Sequence, residues 1–232
     1  MRPKVIIFGD SITEESFGEA DVVLRGYSGY NTRWARKVVE RAFEGLVAPL
    51  AVTVFFGAND ACLPDRSSAF QHVPLPSTSS ISMPLSPSQG NYVPKRWPNT
   101  LVILITPPPI DEDGRLRHPY GENPSGLPER TNEAAGAYAK SCVSVAMELN
   151  TPVVDLWSKM QEILGWEKAF LRDGLHLTPD GNKIVFENLV EIIRHHGVSP
   201  EILPADLPLL TQIDPHDPLN PLTTRATRHA DG

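Results

Sequence analysis

The sequence predicts a three-layer α/β/α sandwich with a parallel sheet, and three observations predict it. Five short, continuous apolar runs recur along the 232 residues. Such runs mark strands buried on both faces by helices, because a strand with one wet face would alternate. Helix-period patterns lie between and after the runs, and alternation of the two element types favours a parallel sheet. The length suits one domain with a substantial core.

In chain order, the strands are expected at Lys4–Phe8, Val22–Leu24, Ala51–Phe56, Leu101–Ile105 and Pro152–Val154. Asn31 or Thr32 can cap a helix over Arg33–Phe43, with Trp34, Val38 and Ala42 on one face. Glu129–Leu149 is Ala-rich with helical spacing, and Thr178-Pro179 opens a helix over Asp180–His195. No internal repeat is visible. The domain is expected over residues 1–199, with a proline-rich tail over 200–232.

Two stretches break the pattern. Only twelve residues, Gly9 to Ala20, separate the first two strands. A parallel crossover takes about a dozen or more and usually holds a helix. A full helix therefore does not fit. The stretch Pro74–Pro94, within an irregular insertion over 74–96, is crowded with Pro and Ser. It reads as a disordered loop, because its prolines forbid a continuous helix.

Composition excludes several classes. A net charge of -7 argues against nucleic acid, whose phosphates need a basic surface. No apolar run approaches the about 20 residues of a membrane span. The start MRPKVIIFGD has too short an apolar stretch for a secretory leader, so a cytoplasmic location is expected. Cys62 and Cys142 form no CxxC and read as free thiols, with neither a disulfide framework nor a zinc site expected.

Chemistry concentrates at strand ends. Ser11 follows the first strand by way of Gly9-Asp10, where ligands of a parallel sheet bind. Gly-Asp-Ser could equally be a helix cap. Asp173-Gly-Leu-His176 supplies the missing parts. A hydroxyl becomes a nucleophile when an imidazole takes its proton and a carboxylate orients the ring. Gly29, after the second strand, and Asn59, after the third, can join the Ser11 N–H as oxyanion donors. Their plainer readings are a turn and a cap.

Gly9-Asp10-Ser11, Gly29, Gly57-Ala-Asn59-Asp60 and Asp173-x-x-His176 resemble, in order, the four blocks of the SGNH (GDSL) hydrolases. The strings FGDSIT, RGYSGYNTRWA, FFGANDACLP, ILITPPPID and DGLHLT are similar to the isoamyl acetate-hydrolysing esterase branch, particularly its plant members. The resemblance implies a flavodoxin-like five-stranded sheet of order 2-1-3-4-5. It also implies Ser11 as nucleophile, His176 as base, Asp173 as its partner, and Ser11, Gly29 and Asn59 as the oxyanion hole. A small ester substrate of the acetate type is implied, with no metal or organic cofactor. Members of this branch carry a further helix after the serine block and another where Pro74–Pro94 sits. The alternative expectation is therefore a catalytically impaired splice or gene-model variant lacking two helices.

Other candidates are weaker. Ser28 fails the Gly-x-Ser-x-Gly elbow because position 30 is Tyr30. His72, His118, His195, His196 and His216 lack ligand spacing and read as surface or capping residues. A flavin-binding module would need a phosphate cradle that the first loop lacks.

Overall fold

In the computed structural model, residues 4–9, 21–75, 92–197 and 216–217 are described below. Five parallel strands form one sheet: β1 Lys4–Gly9, β2 Asp21–Gly26, β3 Ala51–Phe55, β4 Leu101–Ile105 and β5 Val153–Val154. Their order is 2-1-3-4-5. The register runs Lys4 against Asp21, Val5 against Ala51, and Ala51 against Leu101. All carboxyl ends therefore leave the same edge of the sheet.

Alternate side chains of each strand enter different cores. Val5, Ile7, Phe55, Ile103 and Ile105 meet Leu156 and Met160 of α5 (Leu156–Gln161) and Leu189 and Ile193 of α7 (Pro179–His195). Ile6, Phe8, Val52, Val54 and Leu104 meet Ala35 and Val39 of α1 (Thr32–Ala42), Val93 of α2 (Tyr92–Arg96), and Cys142 and Ala146 of α4 (Asn132–Glu148). Continuous apolar strands thus serve two helical layers, and the sandwich has three layers as expected. The short helices α3 (Glu112–Arg117) and α6 (Trp166–Ala169) frame the loops at the carboxyl edge.

Caps explain where the long helices begin. Asn31, not Thr32, caps α1 by accepting from Trp34 N at 2.9 Å. Thr178 accepts from Gly181 N, and Pro179 opens α7, where its missing N–H leaves no bond unmade. α4 begins three residues later than the sequence reading has it. Thr131 is its cap, accepting from Ala134 N, which leaves Glu129 and Arg130 in the loop before it. The 74–96 stretch also needs a correction at its end, since Tyr92–Arg96 is a helix containing Pro94. A proline in the first turn is tolerated, because the first N–H groups of a helix lack partners within it. Residues 76–91, most of the 200–232 tail, and the 10–20 connection lie outside the described residues. No helix among the described residues is long and apolar enough to cross a membrane.

Candidate active site

The Asp173–His176 loop is built by a reversal between α6 and α7. Leu171 bridges Leu177, and Arg172 N donates to His176 O at 2.8 Å. Gly174 holds φ +87°, and a Cβ there would stand 2.4 Å from Asp111 O and 2.6 Å from Arg115 N. Only glycine lets the loop rest on the first turn of α3 this closely. Asp111 N in turn donates to Gly174 O at 3.0 Å.

Within this loop Asp173 Oδ1 accepts from Leu175 N (3.1 Å) and His176 N (2.8 Å), while Oδ2 lies 2.7 Å from His176 Nδ1. A carboxylate at this distance accepts, so Nδ1 carries the proton and Nε2 is left as the basic nitrogen. Burial pushes the Asp173 carboxyl up, but bonds from the His176 ring and backbone outweigh it and hold the group well below the usual range. Asp173 stays charged and orients the ring. Both side chains remain partly open to solvent.

Gly29 and Asn59 are brought together on neighbouring loops. Asn59 Nδ2 donates to Tyr30 O at 2.9 Å, and Gln71 Nε2 donates to Gly29 O at 2.9 Å. The Asn59 amide orientation is fixed by chemistry, because Arg130 Nη2, which can only donate, faces its oxygen at 2.9 Å. Asn59 thereby keeps one N–H beyond the Tyr30 bond. Gly29 has φ +76°, in the turn closed by Tyr30 N on Tyr27 O at 3.1 Å. Asp60 secures the same corner from beneath by accepting the Thr32 N–H and hydroxyl. Burial pushes its carboxyl up to about 6, against the pull of those bonds.

Ser11 lies outside the described residues. The end of its strand is described. Gly9 pairs between Gly26 and Phe55, so the chain leaves β1 at the sheet edge from which the Gly29 and Asn59 loops also depart. Sequence reasoning missed Arg115, Glu129, Arg130 and Gln71, which link these loops from below. The adjacent opposite charges Glu129-Arg130, placed just before an Ala-rich helix, were the available signal. Among the described residues, no group of three or more His, Cys, Asp or Glu could hold a metal. His72 and His196 bond local carbonyls through Nδ1, and Cys62 and Cys142 are buried free thiols.

An oriented imidazole at the carboxyl edge of a parallel sheet, beside loops bearing amide donors, is equipment for acyl transfer. The GDSL-like lipase/acylhydrolase family model matches residues 5–189. A GDSL esterase/lipase of Arabidopsis thaliana is 55% identical, covering 94% of this chain and 97% of its own. An isoamyl acetate-hydrolyzing esterase 1 homolog of Rattus norvegicus is 39% identical, covering 87% and 86%. The crystal structure of a lipase/acylhydrolase from Enterococcus faecalis superposes with a TM-score of 0.60 at 24% identity, over 84% of this chain and 96% of that one. The chain belongs to the GDSL-like lipase/acylhydrolase family and is an ester-hydrolysing serine hydrolase.

Proposed function

We propose that the chain hydrolyses short-acyl carboxylic esters of the acetate type through an acyl-serine intermediate on Ser11. The observation that carries this reading is the Asp173–His176 pair, bonded at 2.7 Å and locked by two backbone N–H groups. In the proposed sequence Ser11 Oγ attacks the ester carbonyl carbon while His176 Nε2 takes the hydroxyl proton. The N–H groups of Ser11 and Gly29 and the Asn59 amide receive the oxyanion. Collapse breaks the ester C–O bond, and the Nε2 proton goes to the departing alkoxide, giving the alcohol. Water then loses a proton to Nε2 and attacks the acyl carbon. The second collapse frees the acid and returns the proton to Ser11.

The acetate preference is supported by the relative in Rattus norvegicus whose name specifies isoamyl acetate. Ser11→Ala should abolish turnover of 4-nitrophenyl acetate, a loss of several orders of magnitude, with the circular dichroism spectrum unchanged. Hydrolysis at the native rate by that variant would remove Ser11 from the mechanism.

One observation favours a second reading, an impaired variant. The alignment with the Arabidopsis thaliana relative spans 238 positions, whereas 94% of 232 residues is about 218. About 20 positions of that relative therefore have no counterpart here. This is the size of a lost helix with its turns. A folded protein that hydrolyses no ester at any acyl length would establish this reading over the first.

A further inference from the structure

Beneath the two halves of the site lies a chain of buried charges. Glu129 Oε1 accepts from Arg115 Nε at 2.8 Å, Arg115 Nη2 at 2.6 Å and Arg130 Nη1 at 2.9 Å. These three residues are 3%, 1% and 3% exposed for Arg115, Glu129 and Arg130 respectively. On one side, Arg115 Nη1 donates to Asp173 O at 3.1 Å and stands 3.3 Å from Asp173 Oδ2, the oxygen that holds the His176 ring. On the other side, Arg130 donates from Nη2 to Asn59 Oδ1 (2.9 Å) and Gln71 Oε1 (3.0 Å), and from Nε to Ala58 O (2.9 Å). Gln71 continues the chain to Gly29 O.

We infer that Arg115 and Arg130, joined through Glu129, are positioning residues that hold the Asp173–His176 pair and the Asn59 oxyanion donor in one register. The inference rests on the serine-hydrolase reading above and deepens it. Stability alone explains such a chain poorly. Replacing a buried ion network with apolar residues of similar volume is often neutral or stabilising, so the better account is specification of geometry. The geometry here is specific. The arginines of α3 and of the loop before α4 meet on one carboxylate oxygen, and through them the loop before α7 and the loop after β3 are tied to it. The two arginines are balanced by Glu129 and Asp173, so the group adds no net charge beneath the site. Arginine suits the task because its rigid fork of donors fixes several acceptors at once, which lysine cannot do.

The test uses the full chain and 4-nitrophenyl acetate. Arg115→Lys, Arg130→Lys and Glu129→Gln are each made alone. Each arginine change is also combined with its partner's substitution, Arg115→Lys with Asp173→Asn and Arg130→Lys with Asn59→Ala. Each folded single variant should lose about tenfold or more in kcat with KM within about twofold. In the combined variants the loss should match that of Asp173→Asn or Asn59→Ala alone, because each arginine acts through that partner. Losses that multiply in the combined variants, or folded single variants with native kcat, would overturn the inference. Should the lysine variants fail to fold, Glu129→Gln, which preserves shape, takes their place in both backgrounds under the same criteria. Ser11→Ala separates the two levels. If it is inactive while the Arg115, Arg130 and Glu129 variants keep native kcat, the positioning inference alone fails. If it turns over at the native rate, the serine reading fails and the positioning inference with it.

Discussion

At the residue scale, burial pushes up both the buried Asp60 and the partly exposed Asp173, yet their net shifts run in opposite directions. Asp173 has enough N–H partners to remain charged, whereas Asp60 has too few to offset its desolvation. A folded-state pKa near 6, above the unfolded value of 3.8, means that the folded protein binds more protons between those values. Stability therefore falls as pH rises from about 4 to about 6, by on the order of 3 kcal/mol from this group. The depressed Asp173 acts the other way, contributing stability above its unfolded pKa that is lost as pH falls through the acid range. Asp60→Asn removes the first contribution only. Urea midpoints at pH 4, 5, 6 and 7 should rise more steeply with pH in this variant than in the native chain. Parallel profiles would show that Asp60 does not titrate there.

The placement of several candidate-site residues was legible because their chemistry is local. Asp173 and His176 sit three apart in one loop, and the bond between them follows from that spacing. Gly29 and Asn59 each follow an apolar strand, which puts them at the carboxyl edge. Arg115, Glu129, Arg130 and Gln71 were not legible, because in sequence they look like ordinary surface charges and amides. Only the fold shows that they are buried and joined to one another.

At the element scale, the loop before α7 depends on close backbone approach. Gly174 meets Asp111 O and Arg115 N, and Gly114 of α3 would carry a Cβ 2.7 Å from Gly174 Cα. Gly174→Ala combines a positive φ with a backbone clash, so it should cost about 2 kcal/mol or more and lower kcat by displacing the His176 ring. Thermal melting together with kcat measures both. Native values for both would show that the loop tolerates a side chain. Long elements with clear ends were readable from sequence, as Thr178-Pro179 at the start of α7 shows. The start of α4 was misplaced because Glu129 and Arg130 are good helix formers, whereas the Thr131 cap decides the boundary. The short α3, α5 and α6 carry too few turns for a periodic signal, and tertiary contacts hold them in place.

At the scale of the whole molecule, the sheet is unevenly protected. No residue of β2 is buried, and Leu24 is 41% exposed, whereas Val5 to Phe8 of the neighbouring β1 are all buried. Eleven residues, 10–20, lie between β1 and β2, and a parallel crossover usually takes about a dozen or more. Ile6→Ala should therefore cost about 2–5 kcal/mol, and Leu24→Lys less than about 1. Denaturant midpoints for the two variants provide the comparison, and equal losses would mean that the β2 edge is covered in solution. The sheet order 2-1-3-4-5 was legible through family resemblance, while the three layers were legible from the apolar runs themselves.

The central claim is that the oriented His176 activates Ser11. Labelling of the intact protein with a fluorophosphonate, followed by mass-spectrometric mapping of the adduct, tests it most directly. The account predicts a single adduct on Ser11, absent from Ser11→Ala and formed at least about a hundredfold more slowly in His176→Ala. An adduct on another residue, or equal labelling rates with and without the imidazole, would contradict it.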